Sequence, residues 1–226
     1  MVSDFHNSKP FLWHSFSLNE YLIKIAGDGW AKEIIEFAKS SLKLTPIVPR
    51  SVTSREADRD SVIQAAVVDG RKIKEGLPWL HKLYRTDFLQ LAGHCSGERV
   101  VCATNDLYGA NLNVQVGTTM RYECHVDSNP LQGMLYVTSH TPESGGELIV
   151  ANSEKAETVS EVLRDCARIA PERGNLVFFD ARRHSHFVTA LTGQNSIRVA
   201  VAMNFYTSAC PESRRPADLS QHLGLA

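Results

Sequence analysis

Past Gly97 the chain becomes a succession of short β-rich runs broken by turn signals, and this constrains the fold more than any other feature. The runs are Arg99–Ala103, Asn111–Val116, Met120–Val126, Met134–Ser139, Glu147–Ala151, Cys166–Ala170, Asn175–Phe179, His186–Leu191 and Ile197–Tyr206. Asn129-Pro130, Ser144-Gly145-Gly146, Arg173-Gly174 and Thr192-Gly193 punctuate them. Strands this short and numerous close into a sandwich or barrel, because open edges must be paired or covered. Ahead of Gly97 the apolar spacing is helical over Leu18–Ala26 and Trp30–Leu42, again from Glu56 through Lys74, and over Trp79–Ala92 behind Pro78. Pro46 and Pro49 break the pattern, and Glu154–Arg164 reads as a short helix among the strands. Helices first and strands after predict an α+β fold, with the helices on one outer face of the barrel.

At 226 residues the chain is expected to form a single domain, 1–226. Its expected parts are a helical support over 1–97, a barrel core over 98–207 and a C-terminal tail over 208–226. A net charge of -1 offers no electrostatic footprint for nucleic acid or an anionic membrane. No run reaches the length of a membrane span, and Met1–Pro10 is polar without an apolar signal core, so a cytoplasmic protein is expected. The cysteines Cys95, Cys102, Cys124, Cys166 and Cys210 are odd in number and scattered, which fits neither a disulfide framework nor a zinc knuckle. They read as reduced, mostly buried small residues.

His125-Val126-Asp127 carries the first chemical signal. Residues two apart on a strand share a face, so an imidazole and a carboxylate converge there, while Cys124 turns away. His184-Ser185-His186-Phe187-Val188 can supply a second imidazole. Two histidines and one carboxylate on one side of a metal leave the other side open, the arrangement of non-haem Fe(II) oxygenases. His184 and His186 share parity, so alternation does not separate them.

Around this pair, further elements follow in order: Met120-Arg121-Tyr122, Leu135-Tyr136-Val137, Ser144-Gly145-Gly146-Glu147-Leu148 and Gly174-Asn175-Leu176-Val177-Phe178-Phe179, with His186-Phe187-Val188 opening a segment that ends at Arg198. Together they resemble the Fe(II)- and 2-oxoglutarate-dependent dioxygenases, in particular the prolyl-hydroxylase-like branch, over roughly Asn111 to Tyr206. The resemblance implies a double-stranded β-helix, a jelly-roll barrel with the metal near its open mouth. It implies Fe(II), 2-oxoglutarate and O2 as cofactor and co-substrates, with ascorbate as a stimulant. The family's His-x-Val pattern selects His186 over His184, giving His125, Asp127 and His186 as metal ligands, with His184 a residue of the mouth. Arg198 is the implied partner of the distal carboxylate of 2-oxoglutarate, a match for a guanidinium fork. Tyr122 and Asn113 (with Gln115) are implied as further co-substrate contacts. Gly193-Gln194-Asn195-Ser196 makes the stretch from His186 to Arg198 slightly longer than is usual in the family.

The expected function is hydroxylation, or another oxidation, of an unactivated C–H bond of a small metabolite such as an amino acid or a natural-product intermediate, with release of succinate and CO2. Asp127 stands where the family's halogenases have a small residue, which disfavours halogenation. A cupin-like metal enzyme without 2-oxoglutarate would have no use for Arg198. A non-catalytic ligand-sensing barrel would have no use for an intact triad. Arg121, Arg182 and Arg183 are candidates for an acidic group on the substrate. Asp180 is a turn cap, and Trp13, Trp30 and Trp79 are core residues.

Overall fold

The computed structural model describes residues 13–216. In chain order the strands are β1 Trp13–Ser17, β2 Lys43–Ile47, β3 Ile63–Val68, β4 Val100–Cys102, β5 Ala110–Val116, β6 Tyr122–His125, β7 Leu131–Tyr136, β8 Leu148–Ala151, β9 Cys166–Ile169, β10 Asn175–Phe179, β11 His186–Val188 and β12 Ile197–Thr207. The helices are α1 Asn19–Ala26, α2 Trp30–Ser41, α3 Gly70–Gly76, α4 Pro78–Arg85, α5 Asp87–Ser96, α6 Asp106–Gly109 and α7 Val159–Arg164. The 217–226 part of the expected tail and the polar opening segment lie outside the described residues.

Two antiparallel sheets face each other. The larger runs β1-β10-β7-β12-β5-β3-β2, with β4 beside the end of β12, and the smaller runs β6-β11-β8-β9. This is the expected α+β double-stranded β-helix. Alternation along each strand of the larger sheet sorts its residues into two layers. Leu112, Val114, Leu135, Leu176, Phe178, Val199, Val201 and Phe205 meet Leu22, Trp30, Ile34, Leu80 and Phe88 of the helices. Met134, Tyr136, Val177, Phe179, Ala200 and Ala202 turn inward toward Leu148, Val150 and Val188 of the smaller sheet. Cys124, Ile149, Ala151 and Phe187 form the smaller sheet's outer layer with Val162 of α7.

The N-terminal part is not purely helical. Ile63–Val68, expected to be helix, is a strand paired to both β2 and β5, and the helix begins only after Asp69, whose carboxylate caps Arg71 and Lys72. Ile-Gln-Ala-Ala-Val-Val is covered on both faces, and such a strand reads as a continuous apolar run that periodicity cannot tell from a buried helix. Pro46 does not end a segment here. It lies within β2 at the sheet edge, where a missing N–H is tolerated. The stretch Trp79–Ala92 divides at Thr86 into α4 and α5.

Candidate active site

His125, Asp127 and His186 come together between the two sheets at the barrel mouth. One ligand atom from each lies within 4.8 Å of the others. The His125 Nε2 stands 3.2 Å from one Asp127 oxygen and the His186 Nε2 stands 3.8 Å from the other. The strand argument explains only part of this. β6 ends at His125, and Asp127 sits in the loop that follows, held by its N–H to Ala181 O at 2.8 Å and by the Val126 N–H to Thr53 O at 3.0 Å. A bulge helps as well. Opposite β11, His186 pairs with His125 and Val188 pairs with Tyr122, so β6 carries one extra residue. Tyr122 and His125, three apart, thereby both line the barrel cavity while Cys124 faces outward.

Each triad imidazole is oriented from behind. His125 Nδ1 bonds Glu123 O at 2.8 Å and His186 Nδ1 bonds His184 O at 3.0 Å. A carbonyl only accepts, so each ring carries a proton on Nδ1 and turns its Nε2 toward the site. Burial pushes His186 down to about 4, which leaves it neutral. Burial would also lower His125, but the hydrogen bond and charge of Asp127 prevail and push it up to about 9. Asp127 is depressed in turn: burial opposes ionisation, and the histidines outweigh it. A proton held between imidazole and carboxylate in this way is what a divalent cation displaces on binding. His184 is not at the mouth. It is 1% exposed, with Nδ1 at 2.9 Å from Ala151 O, and stands outside the cluster.

Arg198 faces inward on β12, in the row Arg198, Ala200, Ala202, Asn204. It is fully buried, and none of its three guanidinium nitrogens has a hydrogen-bond partner. The cation lies 5.6 Å from the centre of the Tyr136 ring, whose hydroxyl is likewise buried without a partner. A buried cation without an anion is costly, so this pair marks a place for a carboxylate. The Gly145-Gly146 turn is part of the same construction. A Cβ on Gly146, at φ +76°, would lie 2.9 Å from Arg198 Cδ. The extra residues ahead of Arg198 are absorbed in the Gly193–Ser196 turn, closed by Ser196 N–H to Gly193 O at 3.1 Å, so the inward parity of Arg198 is kept.

Tyr122, expected beside the co-substrate, lines the cavity, but its hydroxyl already donates to the backbone, 2.7 Å from Ala66 O and 3.3 Å from Val114 O. The uncommitted phenol is Tyr136. Asn113 lines the cavity, whereas Gln115 is buried and its amide nitrogen bonds Met120 O and Thr189 O. Sequence reasoning passed over Gln132. With its amide nitrogen toward the site it donates to Asp127 at 3.1 Å and to Asn204 Oδ1 at 2.6 Å, while its oxygen accepts from Met203 N–H at 3.1 Å. Its parity with Tyr136 on β7 was the available signal. Of the arginines considered for substrate, Arg121 is a bidentate partner of Glu56 at 2.6 and 3.1 Å, and Arg183 pairs with Asp180 and Glu154.

Comparison with known proteins agrees with this geometry. The sequence profile of the 2OG-Fe(II) oxygenase superfamily matches residues 110–206, the span that holds the triad and Arg198. Over that span the chain is similar to the superfamily. Members use Fe(II), 2-oxoglutarate and O2, and the donor set and orphaned guanidinium described above fit that metal and that dicarboxylate. No curated protein matches the sequence. Among solved structures, the oxygenase fold is shared with AviO1 from Streptomyces viridochromogenes Tue57, at 16% identity, TM-score 0.63, and coverage of 92% of this chain and 93% of that one. It is shared with SnoK, a non-heme alpha ketoglutarate dependent carbocyclase from nogalamycin biosynthesis, at 13% identity, TM-score 0.61, and coverage of 90% and 82%. It is shared also with a Trichoplax adhaerens prolyl hydroxylase solved with a hypoxia inducible factor peptide, at 12% identity, TM-score 0.61, and coverage of 93% and 89%. Among the described residues no helix is long and apolar enough to cross a membrane.

Proposed function

We propose that this oxygenase is a dioxygenase that hydroxylates an unactivated C–H bond of a small-molecule substrate, with His125, Asp127 and His186 as the iron ligands. The observation that carries the reading is the fully buried guanidinium of Arg198, with no protein carboxylate beside it, on the same inward face that leads to the triad. When bound, Fe(II) with 2-oxoglutarate and O2 supplies the oxidising chemistry that yields succinate, CO2 and the oxidised substrate. The residues do the rest. With Fe(II) bound in place of the proton that His125 shares with Asp127, His125 and His186 would hold it through Nε2 and Asp127 would add one negative charge on the same side, leaving the opposite side open. Gln132 fixes the Asp127 carboxylate. Arg198 takes the distal carboxylate of 2-oxoglutarate as a charge-assisted fork, and the Tyr136 hydroxyl donates to the same group. Asn113, one rung along from Arg198, would offer its amide to the bound co-substrate. Phe179, with its ring 5.1 Å from that of His186, keeps water from one flank of the metal.

An anaerobic titration with 2-oxoglutarate, following the visible absorption of the iron chelate, tests the binding half. Iron-dependent succinate release across small-molecule candidates, with product identified by mass, tests the reaction half. Absence of the absorption band would remove the co-substrate assignment. A product of unchanged oxygen content would replace hydroxylation by desaturation, ring closure or epimerisation.

A further inference from the structure

The cavity in front of the triad has an amide wall. Strand register orders it. Ala200 stands opposite Asn113 and Tyr136, Ala202 opposite Asn111 and Met134, and Asn204 opposite Gln132, which holds Asp127. The Arg198–Ala200 end of this row belongs to the dicarboxylate. The Ala202–Asn204 end, nearer the metal ligands, is left for substrate. Small alanines on β12 keep that space open.

Asn111 is the telling residue. It lines the cavity and is only 8% exposed. Its Nδ2 donates to Tyr108 O at 3.4 Å, the carbonyl that also accepts from Asn204 Nδ2 at 2.8 Å. With the nitrogen so occupied, the amide orientation is fixed, and Oδ1 is left buried with no hydrogen-bond donor. A buried acceptor in that state calls for a donor from whatever fills the cavity. Charge points the same way. Among the described residues lining the cavity the acidic ones are Glu123 and Asp127, and none is lysine or arginine. Of the cations nearest in sequence to the triad, Arg121 and Arg183 are committed to carboxylates of the protein itself, and Arg182 donates to Cys210 Sγ at 2.9 Å; none of the three lines the cavity. A substrate carboxylate or phosphate would enter without a counter-ion. Ile47, Val67 and Met134 add an apolar stretch, and Thr53, Ser128 and Asn129 add uncharged polar groups.

We infer that the substrate is an uncharged or cationic molecule bearing a hydroxyl or amide N–H, read by Asn111 Oδ1, and not a free carboxylic acid. This rests on the proposed function and narrows its substrate class. The experiment uses the iron-loaded protein with matched probes: methyl glycosides against the corresponding uronic acids, and amino-acid amides against the free amino acids. The neutral or cationic member of a pair should stimulate succinate release and its acid partner should not. Removing the read hydroxyl or N–H from the best probe should lower kcat/KM by about a hundredfold, since a site built around a donor rejects the analogue lacking it. Asn111→Leu should raise KM for that probe about tenfold or more, with kcat much less affected. The anaerobic 2-oxoglutarate titration of the same variant reports that the barrel is intact. Asn111→Ser, which keeps an acceptor, should recover part of the loss and serves if the leucine variant does not fold. Preference for the acids, no response to any neutral or cationic member, or an unmoved KM in both variants would overturn the inference, with 2-oxoglutarate binding left intact. A protein that binds no 2-oxoglutarate would instead overturn the proposed function on which it rests.

Discussion

On β12, Val199, Val201, Met203 and Phe205 point toward the helices, while Arg198, Ala200, Ala202 and Asn204 point into the barrel. The two rows share one backbone and differ in what they are for. The helix-facing row is apolar throughout and interlocks with side chains such as Phe178, whose ring centre lies 5.8 Å from that of Phe205 and 6.1 Å from that of Phe16. The barrel-facing row holds a cation with no partner, two small residues and an amide. One face is built to be stable alone, and the other is completed only by what it binds. Natural proteins break local rules at functional sites and compensate elsewhere, and here the compensation is the width of one strand away.

Substitutions on either row can break or sharpen that contrast. The largest effect is expected from His186→Ala, which should reduce iron binding and turnover to background, while His184→Ala keeps the iron. Metal content after gel filtration separates the two, and the reverse result would transfer the ligand role to His184. Next, Phe178→Ala on the helix-facing side should cost about 3–5 kcal/mol in urea unfolding, while the folded fraction keeps its 2-oxoglutarate affinity. Arg198→Gln should do the opposite. It should raise the 2-oxoglutarate requirement by about thirty-fold or more, the loss of about 2–5 kcal/mol that follows truncation of a desolvated pair. Without 2-oxoglutarate it should unfold at the same or higher urea concentration, because an uncompensated buried charge is gone. If it were strongly destabilised, Arg198 would be a structural residue and the contrast between the rows would fail. Gln132→Leu should weaken Fe(II) binding about tenfold, with turnover restored by excess metal, as expected of a residue that orients a ligand.

The smallest effect lies at the rim. Burial alone would raise the Glu56 carboxyl, but the Arg121 guanidinium and the Cys124 N–H outweigh it and hold it below the usual glutamate range. A carboxyl depressed on folding contributes stability above its unfolded value and loses it as pH falls through the folded one. The stability difference between wild type and Glu56→Gln should therefore be full at neutral pH and shrink below the ordinary glutamate range. Urea midpoints at a series of pH values measure it, and a constant difference would mean that the ion pair does nothing to hold the edge of β6.

The His125-Asp127-His186 cluster and the buried Arg198 were legible early because each lies in a short run whose meaning is nearly local: His-x-Asp, His-x-Val, an arginine opening an apolar strand. The α+β barrel was legible for the same reason, since β5 to β12 each carry strand-like runs between turn residues. β1, β2 and β3 were not. Ile63–Val68 earns its strand identity by pairing with β2 and β5, and nothing within those residues announces it. Tyr136, Gln132 and Asn111 were missed on the same grounds. Tyr136 was read only as part of a strand run and the other two have no motif around them; what each faces across a ladder, Ala200, Asn204 and Ala202, is set by register.

What the sequence determined by itself, then, is the choice of barrel and the identity of the groups proposed to meet a metal and a dicarboxylate, because period-two patterning and motif spacing are properties of the chain. Which phenol is free and which is spent on backbone carbonyls was decided only by the tertiary structure. So were the bulge that sets Tyr122 and His125 into one cavity and the amide oxygen left without a donor. Those depend on register and on the accounting of hydrogen bonds between segments far apart in the chain, and a single residue of slip would reverse every one of them.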